Sequence, residues 1–139
     1  MALRKRLAYG IGTGAAVAAS VLLAAGPAAA ADSDLRVRTK ASGDYAYMAG
    51  TEDFHADGDK IEVCDNRGDG AGVGGYWKIG SGGDVTKIYN GNGLSGGCEW
   101  RNYEFAESAT VYLRVCLQDN GDFKESTCSA WNSVRANGD

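Results

Sequence analysis

Residues 110–118 read TVYLRVCLQ, and this stretch decides the fold class. Its apolar residues fall at every second position, at Val111, Leu113, Val115 and Leu117. Successive side chains of a β-strand point to opposite faces, so a period of two predicts a strand with one face in a core. The opposite face would carry Tyr112, Arg114, Cys116 and Gln118.

Short segments of similar character surround this strand, at residues 44–50, 60–64, 73–80, 84–90, 98–105 and 128–136. Eleven glycines between Gly70 and Gly97 supply the turns that such short strands require. No segment after residue 31 shows a convincing helical period. About seven or eight short strands in roughly 100 residues predict an all-β fold, a small antiparallel β-sandwich. A small closed barrel is the alternative.

The four cysteines predict two disulfides, because an even cysteine count is typical of small exported domains. None of the cysteines forms a Cys-x-x-Cys pair, and the single histidine, His55, is distant from all of them in sequence. A zinc site is therefore disfavoured. Three pairings of four cysteines remain.

Strand alternation favours one of these pairings. If the chain folds back after the turn at residues 119–125 and Cys116 lies opposite Cys128, then Leu113 lies opposite Trp131. In this register Trp131 would lie on the apolar face of the strand pair, and both cysteines would lie on the opposite face. Opposed residues in an antiparallel pair have Cα atoms about 4.5–5.5 Å apart, which a disulfide can span. We therefore predict the pairs Cys116–Cys128 and Cys64–Cys98.

Residues 1–31 have the features of a cleaved export signal: a basic start at Arg4–Arg6, an apolar stretch, and an Ala-x-Ala site at Ala28–Ala30. A transmembrane anchor is the competing interpretation, but glycines interrupt the stretch, and it falls short of the roughly 20 apolar residues of a span. We expect a secreted, extracellular protein whose single domain is residues 32–139, with no membrane association after cleavage.

The net charge argues against two classes of partner. The sequence has a formal charge of −4, and residues 1–31 contain three basic and no acidic residues, so their removal leaves −7. Nucleic acids and anionic membranes are bound by clustered Lys and Arg. The acidic composition therefore argues against binding to nucleic acids or anionic membranes. It is compatible with neutral ligands and with mildly basic partners.

The stretch CDNRGDG, residues 64–70, raises the question of calcium. Asp65, Asp69 and Gly70 fit positions 1, 5 and 6 of an EF-hand loop, but Arg67 and Tyr76 occupy positions 3 and 12, where oxygen ligands are needed. A second acidic turn at residues 57–59 would lie at the other end of the strand. The Arg-Gly-Asp tripeptide within the stretch is short enough to recur by chance. We therefore predict a solvated turn and no metal site.

Catalytic signals are weak. His55 has acidic neighbours, but no G-x-S-x-G motif accompanies it, and nothing selects a carboxylate pair from the 18 acids. We expect a protein that is not an enzyme and uses no cofactor.

Three segments resemble a group of small exported actinobacterial proteins. They are ADGDKIEVCDNRGDGAGV, GGCEWRNYEFAESATVYLRVC and CSAWNSVRA. The shared features are an acidic turn, a Cys-x-x-x-x-[YF] strand, an R-V-C strand and a terminal C-S-x-W strand. The resemblance covers most of the residues after the signal, implies a secreted β-domain, and implies no activity, ligand or catalytic residue.

Aromatic residues on outward-facing strand positions are the remaining functional candidates. Tyr112 and Arg114 lie on the polar face of their strand, Trp100 shares the parity of Cys98, and Tyr89 is a further candidate. Such rings could stack on sugars or anchor a protein, or they could simply cover the sheet. We predict extracellular binding, to polysaccharide in the first instance. The alternative is a secreted inhibitor or toxin-like effector that binds another protein.

Overall fold

The computed structural model describes residues 34–137. The predicted signal segment, residues 1–31, lies outside them. Nine strands follow in order: β1 Leu35–Arg38, β2 Gly50–His55, β3 Lys60–Asp65, β4 Gly72–Ile79, β5 Thr86–Asn90, β6 Cys98–Asn102, β7 Thr110–Asp119, β8 Asp122–Lys124 and β9 Asn132–Arg135. A 3-10 turn, Glu125–Thr127, lies between β8 and β9. Within the described part of the chain, no helix is long and apolar enough to cross a membrane.

The strands form two antiparallel sheets, which confirms the predicted sandwich over the closed barrel. One sheet has four strands in the order β1-β2-β3-β6. The other has five strands in the order β5-β4-β7-β8, and β9 pairs with the first half of β7. Each sheet therefore has an inner face toward its partner and an outer face toward solvent.

The core lies between the two inner faces. The alternating residues of β7 predicted to face inward are all at most 1% exposed. They pack with Val37, Phe54, Ile61, Val63, Val73 and Ile88 from the other strands. At about 25 cal/mol per Å² of buried apolar area, this cluster is the main source of folding free energy.

The segment after β6 closes one end of the sandwich with aromatic rings. Tyr103 and Phe105 stack with ring centroids 5.3 Å apart. Trp77 of β4 packs on Tyr103 at 4.4 Å, and its indole N–H donates a hydrogen bond to the Tyr103 hydroxyl at 3.2 Å. Phe105 also lies 6.2 Å from Phe54. These contacts extend the core to a segment that was predicted to be strand and is largely loop.

Both predicted disulfides are present. Cys64 and Cys98 lie directly opposite each other in β3 and β6, with Cα atoms 4.3 Å apart. Cys116 of β7 is bonded to Cys128, which follows the 3-10 turn. Each bridge lies within one sheet, on its outer side.

The predicted register beyond Cys128 is wrong by one residue. Leu113 lies opposite Asn132 rather than Trp131. Ser129 is hydrogen-bonded to Val115, so Ala130 and Trp131 together oppose one residue of β7, as in a β-bulge. The extra residue turns Trp131 away from the core that the sequence predicted for it.

Near the amino-terminal end of the domain, one strand prediction fails and one strand was missed. Of the predicted strand 44–50, only Gly50 belongs to a strand, because residues 44–49 turn and Met48 adopts a positive φ of 62°. The strand in this region is β2, whose Glu52 is buried in the core. An acidic residue at an inward position hides the alternation on which the prediction relied.

Candidate binding surface

The outer face of the five-stranded sheet gathers aromatic and cationic side chains. The strand register places Tyr76 between Lys87 of β5 and Arg114 of β7, and places Lys78 opposite Tyr112. We call this surface the aromatic face, and it comprises Tyr76, Lys78, Lys87, Tyr89, Tyr112, Arg114, Phe123 and Trp131.

Glycines on the same face allow two of the rings to lie along the sheet. A Cβ added to Gly72 would be 2.2 Å from the Tyr89 hydroxyl oxygen, and one added to Gly91 would be 2.8 Å from the Tyr89 ring. Gly74 lies under Tyr76 in the same way, with a Cβ position 2.9 Å from its hydroxyl oxygen. The Tyr89 side remote from the backbone faces solvent, and the residue is 48% exposed.

Each cation of the aromatic face lies over a ring. The Lys78 Nζ atom is 4.7 Å from the Trp131 ring centroid and 5.7 Å from that of Tyr112. The Lys87 Nζ atom is 5.4 Å from the Tyr89 centroid. These distances are within the range in which a cation is attracted to the ring quadrupole.

The third cation, Arg114, lies 5.9 Å from the Phe123 centroid and forms an ion pair with Glu125. The two lysines differ from it, because among residues 34–137 neither has a carboxylate partner. Lys78 donates to the Ser81 carbonyl at 2.6 Å, and Lys87 donates to the Gln118 side chain at 3.0 Å. Their charges are hydrogen-bonded but not neutralised.

Three of the four residues predicted to bind lie together on this surface. Tyr89, Tyr112 and Arg114 belong to the aromatic face, whereas Trp100 lies on the other sheet, opposite Glu62. Trp100 is 53% exposed, so its outward orientation is as predicted, but it cannot act with the other three. Sequence reasoning missed Tyr76, Lys78 and Lys87, although the alternation of β4 and β5 could have placed them outward.

The outer face of the four-stranded sheet is of a different kind. A row of paired residues crosses it, from Arg36 through Asp53 and Glu62 to Trp100. Arg36 forms an ion pair with Asp53, and Lys60 forms one with Glu62 at 3.1 Å. We call this surface the charged face, and it comprises Arg36, Arg38, Asp53, His55, Lys60, Glu62 and Trp100.

Two clefts adjoin the charged face. The larger, about 480 Å³, is lined by Arg36, Tyr47, Met48, Thr51, Cys64, Asn66 and Arg67. The smaller, about 320 Å³, is lined by Asp34, Leu35, Arg36, Asp53, Phe54 and His55.

The smaller cleft brings together the residues that a catalytic hypothesis would need. The His55 Nδ1 atom lies 3.5 Å from a carboxylate oxygen of Asp34, and Asp53 is buried beside them. Its described lining contains no Ser, Thr or Cys nucleophile. Asp53 forms an ion pair with Arg36, so both carboxylates of the cleft are paired with a basic side chain.

The carboxylates of the acidic turns considered for calcium accept hydrogen bonds from backbone amides. Asp65 accepts one from the Arg67 amide at 3.1 Å, and Asp69 accepts one from the Ala71 amide at 3.0 Å. Asp59 accepts one from the Phe105 amide at 2.7 Å. Among the described residues, one group of potential metal ligands is close enough to share an ion, Glu62 with Cys64 and Cys98, and those sulfurs are joined in a disulfide.

One carboxyl group lies in the core itself. Glu52 is fully buried, and neither of its side-chain oxygens has a hydrogen-bond partner. Burial raises the pKa of Glu52 well above its ordinary value, and the nearby backbone amides of Tyr76 and Arg114 lower the pKa only in part. An ionised carboxylate is poorly tolerated here, so burial favours the protonated form of Glu52.

Comparisons with protein-family models, curated proteins and solved structures gave no match.

Proposed function

We propose that this protein is a non-catalytic module that attaches to polysaccharide outside the cell through its aromatic face. The observation that carries the proposal is the pair of tyrosine rings, Tyr76 and Tyr89, lying along the sheet on glycines. Flat rings on a rigid sheet suit the apolar faces of sugar rings, while hydroxyl groups and cations around them suit sugar hydroxyls.

The extracellular setting is supported by the covalent structure. Two disulfides are typical of an oxidising compartment. The predicted export signal at residues 1–31 accounts for how the chain would reach that compartment.

The test is co-sedimentation with a panel of insoluble polysaccharides, using residues 32–139 produced with both disulfides formed. We expect at least one polysaccharide to retain the protein and Tyr89→Ala to weaken its affinity about two- to tenfold, the value of one aromatic contact. Tyr47→Ala is the matched control, because Tyr47 is 58% exposed and lies beside the larger cleft instead.

Three results would overturn the proposal. The first is that no polysaccharide retains the protein, and the second is that Trp100→Ala abolishes retention whereas Tyr89→Ala does not. The third is a stoichiometric protein partner, recovered from culture medium, whose binding Tyr89→Ala abolishes. That result would favour the inhibitor or effector function over polysaccharide binding.

A further inference from the structure

We infer that the polysaccharide bound by the aromatic face is anionic and carries carboxylate groups, as uronic acid residues do. This inference rests on the proposed function and specifies its ligand.

The ion pairs are distributed unequally between the charged face and the aromatic face. On the charged face, three of the four cationic side chains, Arg36, His55 and Lys60, have a carboxylate partner from the chain itself. On the aromatic face, Lys78 and Lys87 have rings and neutral oxygen acceptors instead. All cation–ring contacts found among the described residues lie on this face.

The charge of the aromatic face is opposite in sign to the net charge of the whole chain. The sequence is acidic, with a net charge of −4, and a uniformly acidic surface would repel an acidic polymer. The aromatic face carries three cations, Lys78, Lys87 and Arg114, and of these Arg114 is paired with a carboxylate, Glu125. It is a locally cationic surface on an acidic protein, which gives charge complementarity to a polyanion.

The spacing of the three cations around Tyr76 also suits a sugar that carries a carboxylate. Lys87 and Arg114 flank Tyr76 on the neighbouring strands, and Lys78 lies two residues further along β4. Diagonal neighbours on one face of a sheet have Cα atoms about 7–8 Å apart. A sugar ring resting on a tyrosine here would have a cation within reach of its carboxylate.

The experiment compares two forms of one polymer, polygalacturonate and fully methyl-esterified polygalacturonate, which share a backbone and differ in charge. Affinity is measured by titration at low and at high salt. We expect the acid form to bind more tightly at low salt, and we expect this preference to shrink as salt screens the exposed pairs.

Two double variants locate the effect. Each exposed ion pair contributes up to about 1 kcal/mol, so Lys78→Gln with Lys87→Gln should weaken binding of the acid form about 5- to 30-fold. The control, Arg38→Gln with Lys60→Gln, makes the same change in net charge on the opposite face and should leave affinity within about twofold. Thermal unfolding of each variant checks that the fold is retained.

The outcomes separate the inference from the proposed function. Equal binding of the acid and the ester, or equal losses in the two double variants, overturns the inference while polysaccharide binding stands. Binding of neither form, together with no retention by any polysaccharide in the co-sedimentation panel, overturns both. Loss confined to the lysine pair on the aromatic face supports the carboxylate ligand.

Discussion

The two outer faces of the sandwich use the same kinds of residue to different ends. On the charged face, Arg36, His55 and Lys60 are paired with carboxylates of the same chain, and its tryptophan lies at the edge of the row. On the aromatic face, cations lie over rings, and two lysines have no carboxylate partner among the described residues. Most cations of the charged face are paired within the chain, whereas the aromatic face leaves two lysine charges and flat apolar surface for a ligand.

This difference teaches that exposed aromatic residues are not equivalent. Trp100 is more exposed than Tyr89, at 53% against 48%. Its neighbour across the strand pair is Glu62, which is already bonded to Lys60. Tyr89 lies against glycine backbone with a cation above it. The surroundings of a ring, rather than its exposure alone, make it a candidate for binding.

The largest expected effect concerns the two disulfides, one on each face. In the chain-entropy description, a closed loop of 34 residues stabilises the fold by about 4 kcal/mol and one of 12 residues by about 3 kcal/mol. Replacing Cys64 and Cys98 by alanine should therefore cost more than replacing Cys116 and Cys128. Urea unfolding of both double variants checks the order, and a larger cost for the shorter loop would contradict it.

A second comparison uses two consecutive carboxyl groups that point to opposite sides of β2. Glu52→Gln should raise the free energy of unfolding at pH 7 by about 1–3 kcal/mol, because a neutral amide enters the core without the proton uptake that the buried acid requires. Asp53→Asn should lower it, because Arg36 then loses its carboxylate.

The pH dependence of Glu52 has a definite sign. Its pKa in the folded protein lies well above the ordinary value of 4.5, so the folded state keeps a proton that the unfolded chain releases. The contribution to stability is therefore complete below about pH 4.5 and is lost as pH rises toward the folded pKa. Thermal unfolding of wild type and Glu52→Gln across this range should show a difference that grows with pH, and a constant difference would contradict the assignment.

The smallest expected effect on stability tests whether the orientation of the Tyr89 ring matters for binding at the aromatic face. Gly72→Ala should cost the fold less than about 1 kcal/mol, because the new methyl group displaces the far end of a flexible side chain, Tyr89. It should nevertheless weaken polysaccharide retention about as much as Tyr89→Ala does. Gly68→Ala is the matched control, since a Cβ there meets nothing within 4 Å.

Much of the architecture could be predicted from sequence because β7 has unbroken alternation. Its parity placed four residues in the core and turned Cys116 outward, and together with a hairpin register that is correct as far as Cys128 it selected the correct cysteine pairing. The same reasoning failed for β2, where Glu52 occupies a core position that the pattern assigns to an apolar residue. It also failed at Trp131, because a bulge changes parity without a sequence signal as clear as the strand itself.

The candidate surface was only partly accessible to sequence. Parity predicts that Trp100 and Tyr112 both face outward, but it does not say that β6 and β7 belong to different sheets. That assignment depends on strand order, which is fixed by long-range pairing. Phe123 was missed for a related reason: the turn predicted at residues 119–125 folds into a tight hairpin around Asn120 and Gly121 and contains β8.

The placement of the disulfides has a consequence for the response of the protein to proteases. Every glycine between Cys64 and residue 137 lies in sequence either between Cys64 and Cys98 or between Cys116 and Cys128. Exposed glycine-rich turns are common sites of proteolytic cutting. A single cut in any of these turns would leave two fragments still joined by a covalent bond, with every strand of both sheets retained. The glycine-rich turns that follow Cys64 are thus segments where one cleavage does not divide the molecule.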